Sequence, residues 1–136
     1  MTEVAKIALV TGASRGIGKA IAITLAGDGF RVVGTATSEE GAASISSYLS
    51  HFDNPGIGLK LDVTDQSNVT SVIDSITDQL GPPLVLVNNA GITKDNILMR
   101  MKEDEWHNVL ETNLSSLYRV SKACLRGMTK ARWGRI

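Results

Sequence analysis

The sequence predicts an α/β fold: a doubly wound parallel sheet with helices on both faces, built as one domain over residues 1–136. Three observations predict it. Short apolar, β-branched runs alternate with segments of helical periodicity, in the order β-α-β-α-β-α-β-α. The first run passes into a helix through a turn that holds Gly12, Gly16 and Gly18. The fourth run, Leu84–Val87, is apolar throughout, as a central parallel strand is.

Lys6–Val10 reads as a buried strand, and Gly16–Gly27 as the helix after it, with Ile17, Ala20, Ile21 and Leu25 at helical spacing. Gly27 and Gly29 mark its end. Arg31–Thr35 is the second strand. Ser38 caps the next helix, whose first turn carries Glu39 and Glu40 and whose apolar side is Ile45, Tyr48 and Leu49. His51–Gly58 is a loop, Gly58–Val63 a third strand, and Thr64 or Asp65 the cap of a third helix with Val69, Val72, Ile73, Ile76 and Leu80 on one stripe. Gly81-Pro82-Pro83 stops that helix ahead of the fourth strand. One long helix is expected from Asp104 to Lys130, with Trp106, Val109, Leu110, Asn113, Leu117, Val120, Cys124 and Met128 as its inward stripe. Trp106 and Met128 read as core residues. Gly134-Arg135-Ile136 reads as the entrance to a further strand.

Composition narrows the functional classes. Hydrophobic residues make up 43% and charged residues 21%, an ordinary globular balance that argues against disorder, collagen and coiled coil. No apolar run approaches the roughly 18–20 residues of a membrane span, and the N-terminus lacks the pattern of a secretory signal. Cys124 is the single cysteine, so no internal disulfide is expected, and the expected setting is cytoplasmic. No metal site is expected: His51 and His107 have no ligand-spaced partners. The formal net charge is zero, yet all 14 acidic residues precede residue 112, while Arg119, Lys122, Arg126, Lys130, Arg132 and Arg135 follow it. A solvated helix face accounts for this segment; the alternative is a docking patch for an acidic partner.

The run Thr11-Gly12-Ala13-Ser14-Arg15-Gly16-Ile17-Gly18 joins strand to helix. Gly12 permits the tight turn, Gly16 lets backbone approach a pyrophosphate, and Gly18 lets the helix pack closely. The helix N-terminus offers free N–H groups and a positive dipole to phosphate. These are the parts of a Rossmann-type dinucleotide-binding fold. A fold of this kind that selects NAD places a carboxylate at the end of the second strand. Here that strand ends Gly34-Thr35-Ala36-Thr37-Ser38, with no acid before the helix cap. Arg15 can reach a 2′-phosphate, and Thr37 or Ser38 can donate a hydroxyl bond, so NADP(H) is the expected cofactor.

The spacing G-x-x-x-G-x-G, Asn88-Asn89-Ala90-Gly91 after the fourth strand, and Asn113 within Glu111-Thr112-Asn113-Leu114-Ser115-Ser116 together resemble the short-chain dehydrogenase/reductase family. The resemblance covers the whole chain. It is strongest over residues 6–18, 33–38, 88–102 and 111–116, toward the branch of the family that reduces 3-oxoacyl chains carried on acyl carrier protein. It implies that Asp62 and Val63 contact adenine, and that Asn89, Ala90 and Gly91 line the cofactor. It also implies a catalytic part for Asn113, whose main-chain carbonyl holds a water of the proton relay; the alternative is a structural asparagine tying helix to sheet. Asn113 lies on the apolar stripe, so its side chain is expected to point inward.

The resemblance implies hydride transfer from a nicotinamide to a carbonyl, with a tyrosine as acid, a lysine four residues later and a serine about a dozen residues earlier. In the family these follow the strand that begins at Ile136, so the chain is read as an incomplete, N-terminal dinucleotide-binding domain, inactive as given. Tyr118-Arg119-Val120-Ser121-Lys122 has the tyrosine–lysine spacing but sits in the helix of Asn113, where the family has no such pair, and is read as a decoy. The resemblance further implies acyl carrier protein as partner and a homo-oligomer; because that carrier is acidic, the basic end of the long helix offers Arg126, Lys130 and Arg132 as its contacts. Nucleic acid and membrane are not expected partners. Two other functions remain open on the residues alone: a stand-alone nucleotide-binding module without chemistry, and an interaction protein that keeps the fold and binds nothing.

Overall fold

A computed structural model describes residues 4–92 and 96–136. Residues 93–95, part of the family-like run 88–102, lie outside the described residues. The elements are β1 (Ile7–Val10), α1 (Gly16–Gly27), β2 (Arg31–Ala36), α2 (Glu39–Leu49), β3 (Ile57–Lys60), α3 (Gln66–Gln79), β4 (Pro83–Val87), a 3-10 turn (Leu98–Arg100), α4 (Glu103–Leu110), a π-helical turn (Glu111–Ser115) and α5 (Ser116–Ala131). The four strands form one parallel sheet in the order β3-β2-β1-β4.

The period of two along β1 builds two cores. Ile7 and Leu9 face one side, where Val69, Ile73 and Ile76 of α3 and Val120, Cys124 and Met128 of α5 pack. Ala8 and Val10 face the other, against Ala22 and Ala26 of α1 and Ile45 and Leu49 of α2. Helices therefore cover both faces, and the alternation predicted from sequence is the alternation observed. Asp65 caps α3, accepting the Asn68 N–H at 3.1 Å, and Ser38 caps α2, accepting the Gly41 N–H at 3.0 Å.

Five expectations are corrected. The third strand runs from Ile57 to Lys60, not from Gly58 to Val63. Leu61 N–H still reaches Ala36 C=O at 2.9 Å, but at Asp62 the chain curls away. There the Asp62 carboxylate takes the Thr64 N–H and hydroxyl, and the Asp62 N–H goes to the Asn68 side chain.

On α1 the inward face is Gly18, Ala22 and Ala26, with Ile21 and Leu25 at its border; Ile17 is 74% exposed and Ala20 is exposed. Small residues prevail because the helix sits close to the sheet end.

The expected long helix is interrupted. Its outer bounds hold within a residue, but Glu111–Ser115 is a π turn that separates α4 from α5. A π turn takes an extra residue into the helix and resets the phase of everything after it. The buried column of α5 is Ser116, Val120, Cys124 and Met128, and Leu117 falls outside it.

Finally, Trp106 is 54% exposed and is not a core residue. Asn113, expected to point into the core, is exposed. The strand entrance after α5 is formed as predicted: Arg135 bridges Val85 in parallel, its N–H reaching Leu84 C=O at 3.0 Å and its C=O accepting Leu86 N–H at 2.9 Å.

Candidate functional site

The segments leaving the C-terminal ends of all four strands converge on one open cleft of about 620 Å³. Ligands of open α/β sheets bind at this end, where helices run off to opposite faces. Thr11, at the tip of β1, is buried and organises the junction. Its hydroxyl oxygen accepts the N–H of Asn89 at 3.0 Å and of Ala90 at 2.9 Å, and its own N–H reaches Val87 C=O at 3.1 Å. The Asn89 side-chain amide returns the tie, donating to Gly12 C=O at 2.9 Å. The glycine turn and the Asn-Ala-Gly run are thereby stitched into one wall.

Gly12 has φ 65, and an added Cβ would stand 3.0 Å from the Ala90 Cα. Gly18 is held tighter: a Cβ there would lie 2.1 Å from the Gly12 carbonyl oxygen. Its role is close packing, though against the turn and Asn89 more than against the sheet. Gly16 has φ 62 and nothing within 4 Å of a notional Cβ, so its backbone lies open to the cleft. Arg15 is the N-cap of α1 and makes no side-chain cap bond; the first turn holds no acid. The uncapped N–H groups of α1 are left to an outside acceptor.

Of the residues expected to bind cofactor, Gly12, Ser14, Arg15, Gly16, Ile17, Thr37, Asp62, Val63, Asn89, Ala90 and Gly91 all line this cleft. Ala13 and Gly18 do not: both are buried behind it. Between the two hydroxyl candidates, Thr37 lines the cleft, whereas the Ser38 oxygen is turned to capping α2. Among the described lining residues Arg15 is the only cation and Asp62 the only carboxylate, and the Asp62 oxygen is engaged by Thr64. Glu39 and Glu40 do not line the cleft.

Asn113 stands outside the lining but acts on it. From the π turn its side chain makes two bonds to one residue: Oδ1 accepts Ile92 N–H at 2.7 Å, and Nδ2 donates to Ile92 C=O at 2.8 Å. Ile92 and Thr112 both line the cleft. A Cβ on Gly91 would sit 2.9 Å from Asn113 Oδ1, so glycine is what lets this tie close. Glu111, at the start of the π turn, is ion-paired with Arg119 of α5. The segment thus joins the β4 loop to α5, and a second tie, Asn88 Nδ2 to Ser121 Oγ at 3.2 Å, runs parallel to it.

No Tyr, Lys, His or Cys is among the described lining residues. Tyr118 and Lys122 are bonded to each other at 3.2 Å on the outer side of α5, with Tyr118 65% exposed, away from the cleft. Sequence reasoning missed Thr11 and Tyr48 as supports of the glycine turn. A hydroxyl between a buried strand and a glycine was a signal for the first; the second had none.

The fold, the G-x-x-x-G-x-G turn in its place and the Asn-tied β4 loop define a class, and a family comparison agrees: the short chain dehydrogenase model matches residues 6–136. The chain belongs to this family. It is 60% identical over 131 residues to the 3-oxoacyl-acyl-carrier-protein reductase FabG of Pseudomonas aeruginosa PAO1, covering 96% of this chain and 53% of that protein. The protein of the same name from Escherichia coli K12 is 60% identical and that from Vibrio cholerae 61%, each covering 96% of this chain and 52% of the relative. The chain spans about half the length of the curated relatives it matches.

Proposed function

We propose that these 136 residues form the NADP(H)-binding part of a 3-oxoacyl-acyl-carrier-protein reductase of the cytoplasm, and that by themselves they bind cofactor without turnover. The observation that carries the reading is the make-up of the cleft: an uncapped α1 N-terminus, a backbone opening at Gly16, Arg15 as its cation and no carboxylate at the β2 end. The residues fit a phosphorylated dinucleotide. Ser14, Gly16 and Ile17 would meet the pyrophosphate, Arg15 and Thr37 the 2′-phosphate, Asp62 and Val63 the adenine, and Asn89, Ala90 and Gly91 the remainder. When bound, NADPH supplies a hydride for a 3-oxo group. What the chain's own residues do is bind, orient and shape. Thr11 and Asn89 fix the wall, and Asn113 holds Ile92 from the π turn. Among the described residues no serine and Tyr-x-x-x-Lys set stands at the cleft, which supports the absence of turnover. In this reading Arg126, Lys130 and Arg132 meet the acidic acyl carrier protein, and the assembled enzyme is a homo-oligomer.

Titration with NADPH and NADH, followed by nucleotide fluorescence, tests the reading. NADPH is expected to bind more tightly, and Arg15→Ala to erase the difference. Equal affinities in the unmutated chain would overturn the cofactor assignment. An acetoacetyl thioester and NADPH should give no sustained turnover; turnover abolished by Tyr118→Phe would restore the exposed pair on α5 as the acid.

A further inference from the structure

The glycine turn has a support on the far side from the Thr11–Asn89 stitch, and nothing in the function above uses it. Tyr48 reaches from the last turns of α2 to the loop, its hydroxyl donating to Ala13 C=O at 2.6 Å across 35 residues of sequence. Ala13 is completely buried, and its N–H is taken by Thr35 C=O at 2.8 Å. Both polar groups of this one residue are therefore fixed, one by β2 and one by α2. The Tyr48 ring is held in turn: it packs on the α1–α2 core, and the Lys19 ammonium lies 5.2 Å from its centroid.

A planar trans peptide turns this into a statement about the next residue. The Ala13 C=O and the Ser14 N–H share one plane and point in opposite directions, and no cis bond occurs among the described residues. When the phenol fixes the carbonyl toward α2, it fixes the Ser14 N–H away from α2. It also fixes where the chain goes next, into Ser14 and Arg15, which line the cleft beside Thr37. Ser14 is otherwise loosely confined on this side. Its Cβ lies 3.5 Å from where a side chain on Gly41 would begin, so the first turn of α2 gives it room instead of a wall. Arg15, as the N-cap, makes no side-chain bond that would hold it.

The geometry points to Tyr48 as a positioning residue that sets the Ala13–Ser14 peptide plane and thereby the discrimination between cofactors with and without a 2′-phosphate. The cofactor half of this statement rests on the function proposed above; the loop half does not. Burial pushes the Tyr48 phenol up to about 12, so it remains a hydrogen-bond donor across the neutral range. The bond spans two elements that do not touch the ligand in common: α2 carries the phenol, and the turn carries Ser14 and Arg15. A change on α2 is thus transmitted to the 2′ side of the cleft, while the Asn89–Ala90 wall, tied to Thr11, stays in place.

The test is Tyr48→Phe, which keeps the ring and removes one hydroxyl. Ile45→Val on the same helix serves as a control that loosens the same core, beside Ala13, without removing the hydrogen bond. Amide hydrogen exchange at Ala13, whose N–H is held by Thr35 C=O, is followed in both, together with titrations of NADPH and NADH. Tyr48→Phe is expected to speed exchange at Ala13 by about three- to tenfold, the worth of one hydrogen bond. It should weaken NADPH by a similar factor and leave NADH nearly unchanged, while Ile45→Val lowers the melting temperature without either effect. Unchanged exchange at Ala13 overturns the proposal, as does an equal loss of both nucleotides or the same pattern in Ile45→Val. If the unmutated chain binds neither nucleotide, the cofactor reading and the selectivity half fall with it, and the exchange comparison alone decides whether Tyr48 sets the loop.

Discussion

Arg132 ends α5 in a left-handed conformation, φ 56 and ψ 30, where glycine is the usual occupant. Holding an L-residue there costs about 1 kcal/mol, yet the side chain is arginine, fully outside the core, in the segment where cations gather without acids. A side chain retained against its backbone preference points to use of the side chain. Arg132→Gly should therefore raise stability by about 0.5–1 kcal/mol in urea unfolding and weaken docking to an acyl carrier protein at low salt. Unchanged docking would leave Arg132 as a helix cap alone. Cys124 is the opposite case, a group with no outward role. Its thiol is buried and pushed up to about 12 by that burial. Native protein at pH 8 should resist a thiol reagent that labels the urea-unfolded chain promptly. The same burial makes stability fall at alkaline pH. Below about 9 the thiol is protonated folded and unfolded alike; from about 9 to about 12 only the unfolded thiol ionises, so the urea midpoint should drop as pH rises through that window. Tyr48 adds to the loss in the same direction, from 10.0 to about 12.

At the scale of elements the informative feature is the π turn between α4 and α5. Apolar spacing from Asp104 to Lys130 is continuous enough to read as one helix, and its two ends are right within a residue. What the spacing could not carry is the cost of aiming Asn113 at Ile92. An asparagine on an apolar stripe reads as an inward residue, whereas here its amide is satisfied by the β4 loop and the phase of the helix gives way. The same limit explains β3: Leu59, Leu61 and Val63 keep the strand alternation through Val63, but the side-chain bonds of Asp62 and Asn68 draw the chain off the ladder. The alternation of strands and helices, the caps of α2 and α3 and the glycine turn of the cleft wall were legible, because they rest on period, caps and glycines. Thr11 and Tyr48 were not, because their partners lie tens of residues away. The turn itself is testable by length. Deleting Leu114, which is exposed, removes the residue that the π turn accommodates. Helix content in the far ultraviolet should be kept, while the Ile92 amide loses protection and nucleotide binding weakens by about tenfold, the worth of the two bonds from Asn113. A variant with Ile92 still protected would show that the turn does not serve this tie.

For the whole molecule, the two cores close the faces of the sheet but not its β4 edge. β4 pairs with β1 on one side and on the other holds a single rung, Val85 with Arg135. Beyond that rung the outer edge of Pro83–Val87 is unpaired among the described residues, and Leu84, Val85 and Val87 are only half-buried. An apolar edge strand with free N–H and C=O groups adds strands from other chains. Apolar surface accompanies it. Trp106, Leu114, Tyr118 and Leu125 are all about half exposed or more, on α4, the π turn and α5. The charge balance does little to keep copies apart, because the net is zero and the acid-free stretch after residue 111 offsets a net negative stretch before it. The chain of these 136 residues should therefore self-associate. Size-exclusion chromatography with light scattering over a range of concentrations is expected to show mass rising with concentration, and Val85→Lys, a charge on the half-buried face of the edge strand, should shift the distribution toward monomer. If Val85→Lys leaves the distribution unchanged while Leu114→Lys and Leu125→Lys reduce it, association runs through the helices instead of the edge. A monomer at every concentration, with a cooperative melt, would mean that neither surface is sticky enough to pair.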